Sequence, residues 1–312
     1  MGHSIFIVGD WGTSRLRLFL CDGGKTLETL EGPGIGKLSA SPEETLFELI
    51  APWQEQYGKS PITLTGMVGS NIGWQNVPYK HCPADASGLN GASAHFTARG
   101  TEIEIIAGLT CTNALGSPDV MRGEETQVFG AMHLHGELRT GRHLVCLPGT
   151  HTKWAVLDEG AITHFHTAPV GEFFDILTKH SVLAKDAGPI TAVEPDAFIA
   201  GARKGLEATQ PGLMHYLFET RSKQITGEFT AHQAGSWLSG LLIGHDVAGG
   251  RAIYGEDCAV GSITLIGTEA LAALYLDVFD LAGLDGVAIS GGATVVAGLR
   301  LLRSKETADA GL

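Results

Sequence analysis

A pattern of strand, polar turn and strand occurs twice in this chain, and the repetition constrains the fold more than any other feature. Residues 4 to 20 open with the apolar run Ile5-Phe6-Ile7-Val8, turn at Asp10-Trp11-Gly12-Thr13-Ser14, and continue in a segment that alternates apolar with basic residues. Period-two alternation is the mark of a half-buried strand. Residues 143 to 166 repeat the arrangement around Pro148-Gly149-Thr150-His151-Thr152. Gly12-Thr13 matches Gly149-Thr150, and each copy goes on to an acidic glycine turn, Asp22-Gly23-Gly24 or Asp158-Glu159-Gly160, and a third short strand. Self-similarity on this scale predicts two related domains, 1–135 and 136–312, each presenting a hairpin turn to a shared cleft.

The turns carry the chemistry. Asp10 is the only carboxylate of its stretch, and Gly12, Thr13 and Ser14 offer a backbone open to close approach, two hydroxyls and several N–H donors. That set suits phosphate oxygens and a hydrated metal ion. An ordinary hairpin turn is the plain alternative, since Asp-x-Gly is common in turns. Lys153, just after the second turn, could neutralise phosphate charge or stand solvated on its strand.

At 312 residues the chain can bury a sizeable core, and its net charge of −13 argues against a nucleic-acid partner or an anionic membrane surface. An anionic ligand remains compatible, because local cations, helix N-termini and Mg²⁺ can hold phosphate. The 5 cysteines are scattered without a C-x-x-C pair, as expected of a reduced cytoplasm. No basic-then-apolar leader opens the chain and no apolar run approaches the ~20 residues that span a bilayer; the expectation is a soluble protein, with a homo-oligomer left open.

Between the repeats, residues 42 to 57 read as a helix opened by Ser41 and Pro42, and 61 to 65 as a buried strand. The stretch from Thr65 to Trp74 is rich in glycine, and Ser70, Asn71 and Trp74 could hydrogen-bond and stack on a sugar-sized ligand. From Glu124 a helix pattern begins, with Glu125 on the face of Val128, Phe129 and Met132. A carboxylate opening an apolar face is partly desolvated, which raises its pKa toward that of a general base; it also complements the helix dipole.

Beyond the second repeat, helices are expected at 170–180 and near 195–209, 211–221 and 230–248, mostly as scaffold, with Ser236, Gly240 and Gly244 allowing close packing. A strand, a glycine turn and a helix follow at Gly267-Thr268, where a helix N-terminus can receive a ligand, and again at 287–302, before a frayed tail past Ser304. Other motifs fail on spacing. Gly32 to Gly36 reads as a loop rather than a dinucleotide fingerprint, and Gly24-Lys25-Thr26 lacks the earlier glycine of a P-loop, Phe19 standing there. The 13 histidines show no convincing third ligand for a transition metal, and there is no G-x-S-x-G elbow.

Asp10-Trp11-Gly12-Thr13-Ser14, Gly66 to Trp74, Met121 to Gln127, Pro148 to Trp154 and Leu238 to Gly244, spread over nearly the whole length, resemble the 2-dehydro-3-deoxygalactonokinases of the sugar kinase, actin and heat-shock ATPase superfamily. The resemblance implies an α/β fold of two ribonuclease-H-like (actin/hexokinase-type) domains around an ATP cleft; since the two phosphate turns would sit on different domains and water must be excluded from the transferring phosphoryl, domain closure is expected, with a hinge near 115–140. It implies transfer of the ATP γ-phosphoryl to the 6-hydroxyl of a 2-keto-3-deoxy sugar acid. Asp10 would hold Mg²⁺ through water; Gly12, Thr13 and Ser14 would face the phosphates from one side and Gly149, Thr150 and Thr152 from the other, with Gly267 and Thr268 bordering the adenosine. By analogy the base is Glu124 or Glu125, and a bidentate arginine, Arg122 first and Arg15 second, would hold the acceptor's carboxylate. Two rivals stay open: a phosphohydrolase of the same fold, and a filament or sensor protein. The choice between galacto and gluco epimers stays open too.

Overall fold

The computed structural model describes residues 5–185, 187, 193–208, 212–258 and 261–303, and both copies of the repeat fold as the same unit. In the first, β1 (Ile5–Trp11), β2 (Arg15–Asp22) and β3 (Lys25–Pro33) form an antiparallel meander. Leu16, Leu18 and Leu20 of β2 are buried while Arg15 is exposed and Arg17 half-buried, so the alternation read in the sequence is the alternation of the two sheet faces. Next comes α1 (Pro42–Tyr57), where Ser41 caps the helix and the Glu44 carboxylate accepts from the Ser41 N–H in return. The chain then adds β4 (Ile62–Thr65), β5 (Lys80–His81), α2 (Ala86–Asn90), β6 (Ala94–Ala98), β7 (Thr101–Ile105), β8 (Leu109–Thr112), β9 (Pro118–Met121) and α3 (Glu124–Leu134).

The second copy is β10 (Arg142–Leu147), β11 (Thr152–Asp158) and β12 (Ala161–Ala168), again an antiparallel meander. A helical block follows: α4 (Val170–Lys179), α5 (Pro195–Glu207), α6 (Leu213–Tyr216), α7 (Glu219–Ile225), α8 (Ala231–Ile253) and α9 (Gly255–Cys258). The sheet resumes with β13 (Ile263–Gly267), α10 (Glu269–Ala282), β14 (Gly286–Ser290) and the last helix α11 (Gly291–Leu302).

Strand order is β3-β2-β1-β4-β7-β6 in one large sheet and β12-β11-β10-β13-β14 in the other, with β5, β8 and β9 in a small third sheet. Each large sheet joins the meander to two parallel strands, β4 and β7 or β13 and β14. This is the ribonuclease-H-like topology, twice over, as the resemblance implies. The parallel strands place the ends of β1 and β4, and of β10 and β13, side by side.

Two helix crossings depend on glycine. At Gly130 of α3 a Cβ would stand 1.8 Å from the Thr294 carbonyl oxygen of α11, and at Gly298 of α11 one would stand 1.9 Å from that of Thr126. The α5–α8 pair is as close: a Cβ on Gly240 would meet Phe198 O at 2.0 Å and one on Gly244 would meet Ala202 O at 2.3 Å, the close packing expected of those small residues. Val128 and Phe129 of α3 and Val295 and Leu299 of α11 share one apolar cluster with Val8 and Leu64 of the first sheet and Leu147 and Ile266 of the second.

Two expected boundaries shift. The segment expected as one helix at 211–221 is the pair α6 and α7, with residue 211 outside the described residues, and α8 runs on to Ile253, with Gly250 packed against the Trp154 ring. The tail past Ser304 lies outside the described residues. Cys21, Cys82, Cys111 and Cys146 are free thiols. Among the described residues no helix is long and apolar enough to cross a membrane.

Candidate active site

The first turn is held from behind by the Gly-rich bend that the sequence reading treats as a plain loop. Ile35 N donates to Gly12 O and Gly36 N to Thr13 O, both at 3.0 Å, and the Trp11 indole donates to Pro33 O at 3.1 Å. Gly34 lies so close that a Cβ would come within 2.4 Å of backbone atoms of Thr13, Ser14 and Arg15. Thr13 and Ser14 are thereby presented outward, exposed, on a backed turn. Asp10, at the end of β1, is half-buried and pairs with Arg17 across the strand, Arg17 Nη2 to Asp10 Oδ2 at 2.6 Å.

Gly66, at the end of β4, brings the rest of the site to Asp10. Its φ of +91 suits glycine, and a Cβ there would crowd Trp11 O at 2.8 Å and stand 3.4 Å from Asp10 Oδ1. Gly123, with φ +114, lies against Gly66 and opens α3. Glu124 and Glu125 therefore start their helix beside Asp10.

The two glutamates differ. Glu125 is fully buried; Gly123 N donates to its Oε1 and Oε2 at 2.8 and 2.7 Å, and the Thr65 and Thr126 hydroxyls donate to Oε1, each at 3.3 Å. Burial, with the Glu124 charge beside it, pushes its pKa up to about 8. Glu124 keeps partial exposure and accepts the Arg122 N–H at Oε2, 3.0 Å. Its pKa is also raised, chiefly by burial, with the Lys153 ammonium opposing and the Asp10 charge adding to the rise. Glu124 thus feels both the Lys153 and the Asp10 charge.

Arg122 is buried with its guanidinium over the Tyr79 ring at 4.2 Å and Nη2 donating to Val77 O at 2.7 Å. Its Nε and Nη1 find no hydrogen-bond acceptor in the described structure. Nη1 faces Gly69, where a Cβ would approach to 2.9 Å. Buried, unpaired guanidinium N–H groups are expensive, and a carboxylate is the geometry that satisfies them.

Across the cleft, Gly149 and Thr150 form the second turn, with Glu172 N of α4 donating to Thr150 O at 2.9 Å. Together with Ser14 they line a cavity of about 870 Å³ whose walls come from α4, α8 and α10: Val170, Phe174, Ser239, Leu271 and Tyr275 among them. The Ser239 hydroxyl is buried there with no partner. Sequence reasoning took α4 and α8 for scaffold and missed this wall; a serine within the apolar stretch of α8 is the one signal that marks it.

The other expected site residues are placed as follows. Ser70 donates to Met67 O at 2.7 Å, Trp74 packs edge-on against Phe96, and Asn71 is exposed on the same loop. Arg15 points outward to Glu31 at 3.6 Å. Thr152 is fully buried with its hydroxyl on Tyr275. Lys153 donates to Val120 O at 2.9 Å and to the Thr167 hydroxyl at 2.7 Å. Gly267 ends β13, and Thr268 caps α10 through Leu271 N.

A carboxylate of raised pKa, a second carboxylate beside a backed glycine turn, a facing glycine turn, and a buried arginine with free N–H groups can together position an anionic acceptor against a phosphorylated donor. Comparison with known proteins agrees. Residues 10–302 match the sequence pattern described as 2-keto-3-deoxy-galactonokinase. The chain is 36% identical over 297 residues to the 2-dehydro-3-deoxygalactonokinase of Escherichia coli (strain K12), covering 95% of this chain and 96% of that one. A crystal structure from Sinorhizobium meliloti, provisionally assigned as a 2-dehydro-3-deoxygalactonokinase, superposes with a TM-score of 0.82 at 30% identity, over 95% of this chain and 97% of that one. Matched from its first phosphate-type turn to its last helix, the chain belongs to the 2-keto-3-deoxy-galactonokinase family.

Proposed function

We propose that this protein is a kinase that transfers the γ-phosphoryl of ATP to the 6-hydroxyl of 2-dehydro-3-deoxy-D-galactonate, in galactonate breakdown. The observation that carries the substrate class is Arg122, two residues before the proposed base and bonded to it through its backbone N–H, whose buried Nε and Nη1 have no acceptor and call for a carboxylate. In this reading the acceptor is bound on the side of residues 1–135, its carboxylate on Arg122, and ATP on the side of residues 136–312.

Glu124 is the general base. Its partial exposure and the bond from Arg122 N to Oε2 leave Oε1 for the acceptor hydroxyl, and burial raises its pKa, the direction that strengthens a carboxylate as a base. Glu125 organises the start of α3 instead. The exposed turn Gly12, Thr13 and Ser14 and the facing Gly149 and Thr150 orient the phosphates, and the cavity behind them takes the nucleoside, with the Ser239 hydroxyl as its polar contact. Lys153 sets the field around Glu124 rather than touching phosphate. Asp10, at the end of β1 just before the first turn, would hold Mg²⁺ through water; the ion supplies charge neutralisation at the transferring phosphoryl. No nucleic acid, membrane or protein partner is needed, and the free cysteines suit the cytoplasm.

The test is ADP release from Mg-ATP with 2-dehydro-3-deoxygalactonate, its gluco epimer, galactonate, gluconate, glucose or water alone. Turnover highest with the galacto keto-acid is expected. Preference for the gluco epimer would move the substrate, and phosphate release without acceptor would replace the kinase reading with a phosphohydrolase.

A further inference from the structure

Asp246 is a buried carboxylate on α8 that the reaction as described does not use. Its Oδ1 accepts from the Trp154 indole at 3.2 Å and its Oδ2 from the Tyr275 hydroxyl at 2.7 Å; the Tyr275 oxygen lies 3.0 Å from Thr152 Oγ1. An ionised carboxylate can only accept, so the Tyr275 proton points to Asp246 and the Tyr275 oxygen is left to accept the Thr152 proton. The chain of bonds has one direction, and it ends on the first residue of β11.

Thr152 stands two residues past Thr150, on the strand that leaves the second turn. Its hydroxyl, which the sequence assigns to phosphate, is directed inward. Tyr275 also forms part of the cavity wall beside Gly149 and Thr150. α8, α10 and β11 thus meet at one hydrogen-bonded line behind the turn.

We propose that Asp246, Tyr275 and Thr152 are positioning residues: a one-way hydrogen-bond relay that fixes the height of the Gly149–Thr150 turn against α10 and so presents its backbone to the nucleotide phosphates. The proposal rests on the reading of the adjoining cavity as the ATP site. Burial raises the Asp246 pKa to about 6, and the Tyr275 and Trp154 bonds oppose the rise. The titratable groups facing it are Tyr275 from α10 and Cys146 from β10, each pushed up by burial and then by the Asp246 charge. The carboxylate is therefore ionised at neutral pH, the state in which both donors are satisfied.

The experiment measures Mg-ATP affinity by calorimetry, KM for both substrates, and Tm, for wild type, Tyr275→Phe, Thr152→Val, their double variant and Thr152→Ser. Tyr275→Phe keeps the ring and the cavity wall. Each single loss of hydroxyl should weaken Mg-ATP binding about tenfold and leave KM for the sugar acid unchanged. The double variant should be no weaker than the worse single, and Thr152→Ser should restore wild-type affinity. Weakening by Thr152→Val alone would show that Thr152 touches phosphate itself and overturn the relay. Additive losses would do the same, as would a lowered Tm with unchanged affinities. Wild type that fails to bind Mg-ATP would overturn the nucleotide reading and the relay with it, whereas wild-type binding matched by all variants would overturn the relay alone.

Discussion

Glu124 and Glu125 are neighbours in the chain whose carboxylates take consecutive backbone N–H groups just before α3: Glu124 takes the Arg122 N–H at 3.0 Å, while both oxygens of Glu125 close on the Gly123 N–H at 2.7 and 2.8 Å. One is left open to the cleft and the other is sealed. Glu124→Gln should lower kcat by roughly 10²–10⁴-fold, the range of a lost general base. Glu125→Gln should keep kcat within about tenfold. Steady-state kinetics on both variants decide the roles, and equal losses would contradict the division.

Glu125 also sets a pH dependence of stability. Its pKa rises from 4.5 to about 8 on folding, so between those values the folded state holds a proton that the unfolded chain has released. Stability from this group is fully present below about pH 4.5 and is lost as pH rises through 8, with a limiting slope of about 1.4 kcal/mol per pH unit. Urea unfolding at pH 5 to 8 should show wild type losing stability relative to Glu125→Gln. A difference that stays flat with pH would show that the buried carboxyl is ionised throughout.

Arg122 should govern one substrate and not the other. Charged hydrogen bonds of this kind contribute about 1.5–3 kcal/mol, so Arg122→Ala should raise KM for the sugar acid by roughly 10- to 100-fold and leave KM for ATP near wild type. Arg122→Lys should recover little, because a single ammonium cannot replace the planar fork. Equal rises in both KM values would make Arg122 a structural residue of the Tyr79 loop.

The α3–α11 crossing should tolerate no added carbon. A Cβ on Gly298 would sit 1.9 Å from Thr126 O, a backbone atom that cannot swing aside. Gly298→Ala should therefore destabilise the protein by about 1–3 kcal/mol or more, read as a fall in Tm, and should lower kcat through the displaced start of α3. Gly24→Ala, in an exposed turn with no atom near the added Cβ, is the control.

The sequence made the strand-turn-strand units legible because their signals are local: alternation in Arg15 to Leu20, and glycine beside hydroxyl in both turns. Of the expected site residues, Ser14, Gly149 and Thr150 line one cavity, and Asp10 lies close enough to Glu124 to raise its pKa. The sequence could not separate Glu124 from Glu125, because the difference lies in what Gly123 and Thr65 donate to. Thr152 reads as a turn hydroxyl until Tyr275, 123 positions away, is seen to hold it. Phe174 carries no signal of a cavity wall, and Ser239 only the oddity of a serine in an apolar helix stretch: helical periodicity reports that a face is apolar, and not what it encloses. The bend at Gly34 has loop composition, and only its approach to Thr13 reveals it as a support.

Because α3 and α11 meet backbone to backbone and draw residues of both sheets into one cluster, the two copies of the repeat cannot be traded as cartridges. Cut between the sheets, each piece would expose the apolar side that the other now covers, and a graft from a relative would have to match the crossing at Gly130 and Gly298 before it could match any ligand. The joint is therefore the less forgiving half of the design: an added carbon at Gly130 or Gly298 meets backbone, whereas Thr13 and Ser14 at the cleft stand exposed.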